Sequence, residues 1–400
     1  MPPVATLPEI DGVTPAAQAT PSTPEELAQA LREADASGKA VVPVGGATQL
    51  GLGMPPRQVD LALHSVGLNR IVEYEPADLT VTVEAGLRFK DLQAALGEQG
   101  QFLALDPAVE ADATIGGIIA TNASGPLRFS YGSARDLVIG TRVANPDGSL
   151  TRAGGRVVKN VAGYDLNKLH IGALGTLGVI VELSFKLAPI PPALATVVGE
   201  FGSLDGVAAA VGAVLHSPLS PLGIEVLGEA KQLVFRIGGY DTAVDRQIRE
   251  LRVLIAGHGG TPIVVPDSFW EDLSAARRQA MERQVVVKAA VPIAQSSALV
   301  ELLEQQLAPL SPVVWAHAGN GVAYAACDAP TDASGLAALR AAVRRLGSNA
   351  SLVITRCPTE LKQQLDVWGE PGSSVALMRA IKAKLDPRGT LNPGRFVGGI

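Results

Sequence analysis

Apolar and polar positions along this chain show two textures, divided near residue 190. In the first part, short apolar runs end in glycine-rich loops. Thr23, Pro24 and Glu26 combine a threonine cap, proline at the first helical position and glutamate at the third, which predicts a helix start with a capping box. Leu27, Ala30, Leu31 and Ala34 then share one face, and Gly38 stops the helix. Residues 40–44 predict a buried strand that runs into a glycine-rich loop, 45–53. Strands follow at 59–63, 71–74 and 79–84, with a helix over 89–98 that Gly100 ends. The stretch 114–136 holds a glycine pair, Gly116 and Gly117, and closes on small residues up to Gly125. After it come a strand at 137–144, a Pro146-Asp147-Gly148 turn with a short return strand, a short helix at 166–170 and a strand at 179–187.

Beyond the prolines at 189, 191 and 192, strand and helix periods alternate at longer spacing. Strands are predicted near 196–201, 223–227, 232–237, 262–265, 283–289, 313–317, 322–326 and 352–355. Helices are predicted at 204–215, 242–256, 295–307, 333–346 and 374–385. This pattern implies an α+β fold, with helices packed on one face of a mostly antiparallel sheet. The expected division is a disordered tail over 1–20, one domain over 21–190, a second over 191–384, and a turn-rich return of the chain to the first domain over 385–400.

Composition narrows the function classes. A chain of 400 residues exceeds one ordinary core, which agrees with two domains. A net charge of −6 argues against nucleic acid as the main partner. Cys327 and Cys357 form no C-x-x-C and have no histidine at metal spacing, so neither an iron–sulfur cluster nor a structural zinc is expected. No apolar run reaches eighteen residues, so no transmembrane segment is expected, and the first twenty residues lack the basic start and apolar core of a secretory signal. The expectation is a cytoplasmic protein, or one held at the periphery of the inner membrane through its partners.

Two glycine-rich loops, 45–53 and 116–125, each adjoin a regular element. Small residues let backbone N–H groups approach an anionic ligand, and two such loops can hold a pyrophosphate from both sides. Neither fits a Rossmann or Walker pattern: Pro56 stands where a third glycine belongs, and the glycines at 172, 175 and 178 open a strand. Between Arg128 and Lys168, seven cations face three acids, a local excess of +4 that is consistent with an anionic ligand.

The run Pro43-Val44-Gly45-Gly46-Ala47-Thr48 resembles the first pyrophosphate loop of the PCMH-type FAD-binding domain of vanillyl-alcohol oxidase-type flavoenzymes. Thr114-Ile115-Gly116-Gly117 through Asn122-Ala123-Ser124-Gly125 resembles the second loop. Tyr131-Gly132 with Arg135-Asp136, the stretch from Gly154 to Asp165, Gly175-Thr176-Leu177-Gly178 and Leu391-Asn392-Pro393-Gly394 continue the likeness in the same order. Within the family the chain is similar to the FAD-binding (E) subunits of bacterial glycolate oxidases. Asp366-Val367-Trp368-Gly369 and the closing Asn392-Pro393-Gly394-Arg395-Phe396 carry that part of the likeness.

Neither glycine-rich loop contains a histidine or cysteine, so non-covalent FAD is expected. The resemblance implies a two-lobed FAD domain with an α+β cap. It implies cofactor contacts at Pro43, Val44, Gly45, Gly46, Ala47, Thr48 and Gln49, and at Thr114, Ile115, Gly116, Gly117, Ala120, Asn122, Ala123, Ser124 and Gly125. Further contacts are implied at Tyr131, Gly132, Arg135, Asp136, Tyr164, Gly178, Val179, Ile180 and Asn392. The implied activity is oxidation of a small 2-hydroxy acid, glycolate to glyoxylate, in a complex with a catalytic flavoprotein subunit and an iron–sulfur subunit. An FAD-loaded electron-relay subunit without its own turnover is the alternative.

Two departures bear on catalysis. Catalytic relatives carry an acid before Gly-Thr-Leu-Gly, where this chain has Leu174, and an H-x-G-D-G-N-x-H pattern associated with a metal. Here that pattern reads His317-Ala318-Gly319-Asn320-Gly321-Val322-Ala323-Tyr324, so no metal site is expected. The candidates for substrate chemistry are Lys288, His317 and Arg356. Their ordinary readings are a lysine snorkelling from a half-exposed strand, a structural histidine and a surface arginine.

Overall fold

The computed structural model describes residues 9–109, 111–156 and 164–400. The fold is α+β. Thr23 accepts the Glu26 N–H at 3.1 Å, as a helix cap should, and the helix Pro24–Ala36 follows. The Glu26 carboxylate does not return to Thr23; it accepts from the N–H and hydroxyl of Ser22, both at 2.8 Å, one residue earlier than a capping box requires. Leu27 and Leu31 are fully buried, which stabilises by about 2 kcal/mol each. They pack with Val41, Leu63, Val179, Val181 and Leu391, so this helix joins two sheets to the C-terminal tail.

The first of these sheets is small and parallel, in the order Ala17–Ala19, Leu61–His64, Val41–Val44. Its first strand corrects the expectation of a tail over 1–20. Residues 9–20 are placed, and Ile10 is fully buried against Val42, Val44, Val59 and Ala62. A run rich in Pro and Ala shows little periodicity, yet Ile10, with Val13 and Leu50 beside it, joins the core of this narrow sheet. The second sheet is antiparallel, in the order Ile71–Glu75, Thr80–Glu84, Val179–Lys186, Val138–Ala144, Leu150–Gly154. The glycine pair of the second loop lies in a helix, Ile115–Thr121, capped by the Thr114 hydroxyl. The tail returns along the strand Val41–Val44, where Val41 N–H donates to Thr390 and Asn392 N–H donates to Val41.

Residues 193–356 supply an eight-stranded antiparallel sheet. Its order is Thr261–Val265, Ala193–Glu200, Gln232–Gly239, Gly223–Leu227, Val313–His317, Val322–Cys327, Val285–Ala290, Ser351–Arg356. Strand alternation divides its residues between two faces. Val226, Val287, Val314, Ala316 and Ala325 bury against helices that include Leu204–Leu215 and Ser296–Leu307. Glu225, Lys288, Trp315, His317 and Tyr324 lie on the opposite face, toward the first domain. An additional helix, Ser268–Met281, covers the edge of that face, with Ala280 packed beside Val286, Trp315 and Tyr324.

Candidate functional site

Two recesses adjoin each other, one within the first domain and one between it and the cap sheet. The first is a groove between the loop after Val41–Val44 and the helix Ile115–Thr121, floored by Val179 and Ile180 and closed by Asn392 and Arg395. The two glycine-rich stretches pack so closely that a Cβ on Gly45 would collide with the Thr114 side chain. One on Gly46 would collide with the Asp112 carbonyl. The N–H groups of Gly45, Gly46, Ala47 and Thr48 donate to no acceptor among the described residues, leaving a row of donors along the groove. Three cationic side chains hold the surrounding backbone. The fully buried Lys362 ammonium donates to the carbonyls of Gly51 and Gly53 at 2.6 and 3.0 Å and pairs with Asp11 at 2.5 Å. Arg395 donates to the carbonyls of Leu50 and Leu52. Lys382 donates to Thr176 and Leu391 at 2.7 and 2.9 Å. Asn392, in the left-handed region at φ 47°, donates its amide to Leu174, and its buried Oδ1 has no partner.

The second recess is a cavity of about 290 Å³ between the first domain and the cap sheet, sharing Gln49, Leu52, Val109 and Thr121 with the groove. On the cap side Trp315 and Tyr324 stack with ring centres 5.3 Å apart, and the Lys288 ammonium lies 5.7 Å from the Tyr324 ring. His317 is 5% exposed, and its Nδ1 lies 2.7 Å from Oε1 of the fully buried Glu225. The guanidinium of Arg277 lies 2.7 Å from the other Glu225 oxygen and sits over the Trp270 ring at 5.5 Å. From the first domain Asp106 enters the cavity wall. Burial pushes its carboxyl well above the usual carboxylate range, against the opposing effect of the Leu127 N–H at 3.1 Å.

Residues 15–154 match the family described as FAD binding domain, and residues 369–396 match FAD linked oxidases, C-terminal domain. The chain binds FAD. It is 28% identical to glycolate oxidase subunit GlcD of Bacillus subtilis (strain 168) over 96% of this chain and 89% of that protein. It is 35% identical to glycolate oxidase subunit GlcE of Escherichia coli (strain K12), over 51% of this chain and 55% of that protein. The fold is similar to that of p-cresol methylhydroxylase with substrate bound, with a TM-score of 0.77, 16% identity, and coverage of 98% of this chain and 90% of the other. The groove fits the cofactor on its own terms. Unsatisfied N–H donors on loops too tight for side chains suit a pyrophosphate, and the orphaned Asn392 Oδ1 awaits a donor.

Of the residues implied for FAD, Pro43 to Gln49, Thr114, Gly116, Gly117, Ala120, Val179, Ile180 and Asn392 line the groove together. Ala123, Ser124 and Gly125 line the adjoining cavity instead. Ile115 points into the core, and Gly178 packs against Val143. Asn122 ends the helix in the left-handed region at φ 51°. Tyr131 packs edge-on to Phe102 at 5.4 Å, Gly132 supplies a positive φ of 87°, and Asp136 caps Ser133. Arg135 donates to the Lys168 carbonyl, and Tyr164 is 94% exposed. Residues 157–163 of the Gly154 to Asp165 motif lie outside the described residues.

Ion pairs take up part of the local excess of positive charge. Arg142 pairs with Glu25 and Glu182, Arg152 with Glu182, Arg156 with Glu73 and Lys168 with Asp165. Three acids distant in sequence, Glu25, Glu73 and Glu182, thus offset part of it. Of the catalytic candidates, Lys288 and His317 share the cavity, whereas Arg356 lines a neighbouring recess and donates to the Met281 carbonyl at 3.4 Å. Sequence reasoning missed Glu225, Arg277, Arg278 and Asp106. Alternation could have placed Glu225 on the face opposite Ile224 and Val226, but its partner His317 lies 92 residues away.

Proposed function

We propose that this chain is the FAD-binding subunit of a 2-hydroxy-acid dehydrogenase of the glycolate oxidase type, oxidising glycolate to glyoxylate and passing the electrons to a partner subunit. Bound FAD supplies the two-electron acceptor. The observation that carries the reading is Lys288. It lines the cavity beside the FAD groove, next to the stacked Trp315 and Tyr324, and has no anionic partner among the described residues. An ammonium in such a setting favours a small carboxylate and fixes its orientation. Arg278, from the helix Ser268–Met281, adds a second cation to the same wall. The likeness to glycolate oxidase subunits supports glycolate as substrate, and an iron–sulfur subunit is the electron acceptor we propose.

One observation favours an electron-relay subunit instead. Tyr324 occupies the position where the related pattern carries its second histidine, and its ring fills the space by stacking on Trp315. Reduction of a dye by the isolated, FAD-loaded chain separates the readings. Glycolate- or D-lactate-dependent reduction supports the dehydrogenase and overturns the relay. Reduction only after partner subunits are added overturns the proposal that turnover occurs on this chain.

A further inference from the structure

Within the reading just given, one cavity residue carries more than a structural role. Glu225 and His317 sit directly opposite each other on adjacent antiparallel strands, so the sheet register itself places the carboxylate beside the imidazole. Nδ1 of His317 faces both Glu225 oxygens, at 2.7 and 2.9 Å. A carboxylate can only accept, so Nδ1 carries the proton, and in the neutral ring Nε2 then holds the free lone pair. Nε2 has no hydrogen-bond partner among the described residues, and it is not one of the sealed polar atoms; the ring lines the cavity. The Arg277 guanidinium lies 2.7 Å from Glu225 Oε2, and its positive charge favours the ionised carboxylate. The edge-on Tyr324 ring at 5.5 Å fixes the tilt of the imidazole.

We infer that His317 Nε2 is the proton acceptor for the substrate hydroxyl, with Glu225 as the positioning residue that sets its tautomer, and that no metal is needed at this site. The atoms balance as follows. The hydroxyl O–H bond breaks and its proton passes to Nε2. The α C–H bond breaks and hydrogen leaves with its electron pair to the acceptor that FAD provides. The carbinol carbon becomes a carbonyl. Lys288 lies two strands away, beyond the strand Val322–Cys327, and lines the same cavity, where it orients the carboxylate end while His317 meets the hydroxyl. The other ionisable groups of the cavity wall are Asp106, Arg277, Arg278 and Tyr324. Of these, Arg277 reaches the imidazole only through Glu225.

The test uses the full FAD-loaded chain and has two arms. In the first, nitrogen-15 spectra of the histidine rings, with His317→Gln for assignment, report the tautomer without any turnover. The expected state is protonated Nδ1 with bare Nε2 in the wild type, and Glu225→Gln reverses it because an amide can donate. A wild type protonated at Nε2 instead overturns the inference. In the second arm, stopped-flow flavin reduction by glycolate is followed against pH. His317→Gln is expected to keep its FAD and its affinity for the non-reducible anion oxalate within about threefold, while reduction slows by about 10²–10⁴-fold and loses its acid limb. A His317→Gln variant with the wild-type rate, or with the acid limb intact, overturns the inference. If no 2-hydroxy acid reduces the wild type, the proposed function fails, and the tautomer arm still decides the geometry of the pair.

Discussion

Gly46 leaves no room for a side chain, because the Asp112 carbonyl already occupies the space a Cβ would need. Gly46→Ala is therefore expected to push the two loops apart and lower FAD affinity by at least tenfold, read by calorimetric titration of the flavin-free protein. Gly117 differs: a Cβ there comes only to 3.2 Å from the Thr114 hydroxyl, so size alone is tolerable. Gly117→Asp places a negative charge in the same groove and should abolish FAD retention, whereas Gly117→Ala should keep most of it. Equal retention in both variants contradicts this placement. His170 gives a pH signature. Burial lowers its pKa to about 4, and its Nδ1 has no partner. A histidine depressed below its unfolded value of about 6.5 keeps its full contribution above that pH and loses stability as pH falls toward 4. The loss amounts to roughly 3 kcal/mol by the same linkage. His170→Asn should flatten that decline in urea unfolding between pH 7 and pH 4; an unchanged slope contradicts the assignment.

Among the elements, the loop of residues 45–53 is held by elements far away in sequence. Lys362 from the helix Thr359–Lys362 and Arg395 from the tail bond its carbonyls, and Asp11 completes the pair with Lys362. Lys362→Met leaves Asp11 buried without its cation, a loss of about 3–5 kcal/mol by analogy with broken buried pairs. It should also weaken FAD binding in the population that remains folded. Unchanged urea midpoint and FAD affinity would show that the clamp is idle. The loops and the tail were readable in sequence because glycine and asparagine at turns report backbone shape locally. The helix Ser268–Met281 was not, because its buried residues are Arg277 and Ala280, so its inner face lacks the apolar stripe that marks a helix. The strand Ala17–Ala19 was missed because it is short and buries little of itself. The Glu225–His317 pair depends on strand register, which no local pattern specifies.

In the whole molecule, the groove and the cavity share a wall. The groove belongs to the first domain and the tail, and the cavity is completed by one face of the cap sheet while helices cover the other. The cap thus supplies Lys288 and His317 next to a groove formed entirely by the first domain and the tail. No helix of the described residues is long and apolar enough to cross a membrane. This division predicts that cap variants such as Lys288→Ala keep their FAD while the KM for glycolate rises by about 10–100-fold, a loss of one oriented charge contact. Loss of FAD in Lys288→Ala would mean that the two recesses are not separable. The most direct measurement of the central claim is the visible spectrum of the purified chain under anaerobic conditions, before and after addition of glycolate. The expected result is the yellow spectrum of bound oxidised flavin that bleaches on addition; a colourless protein that takes up no FAD in calorimetry contradicts the account.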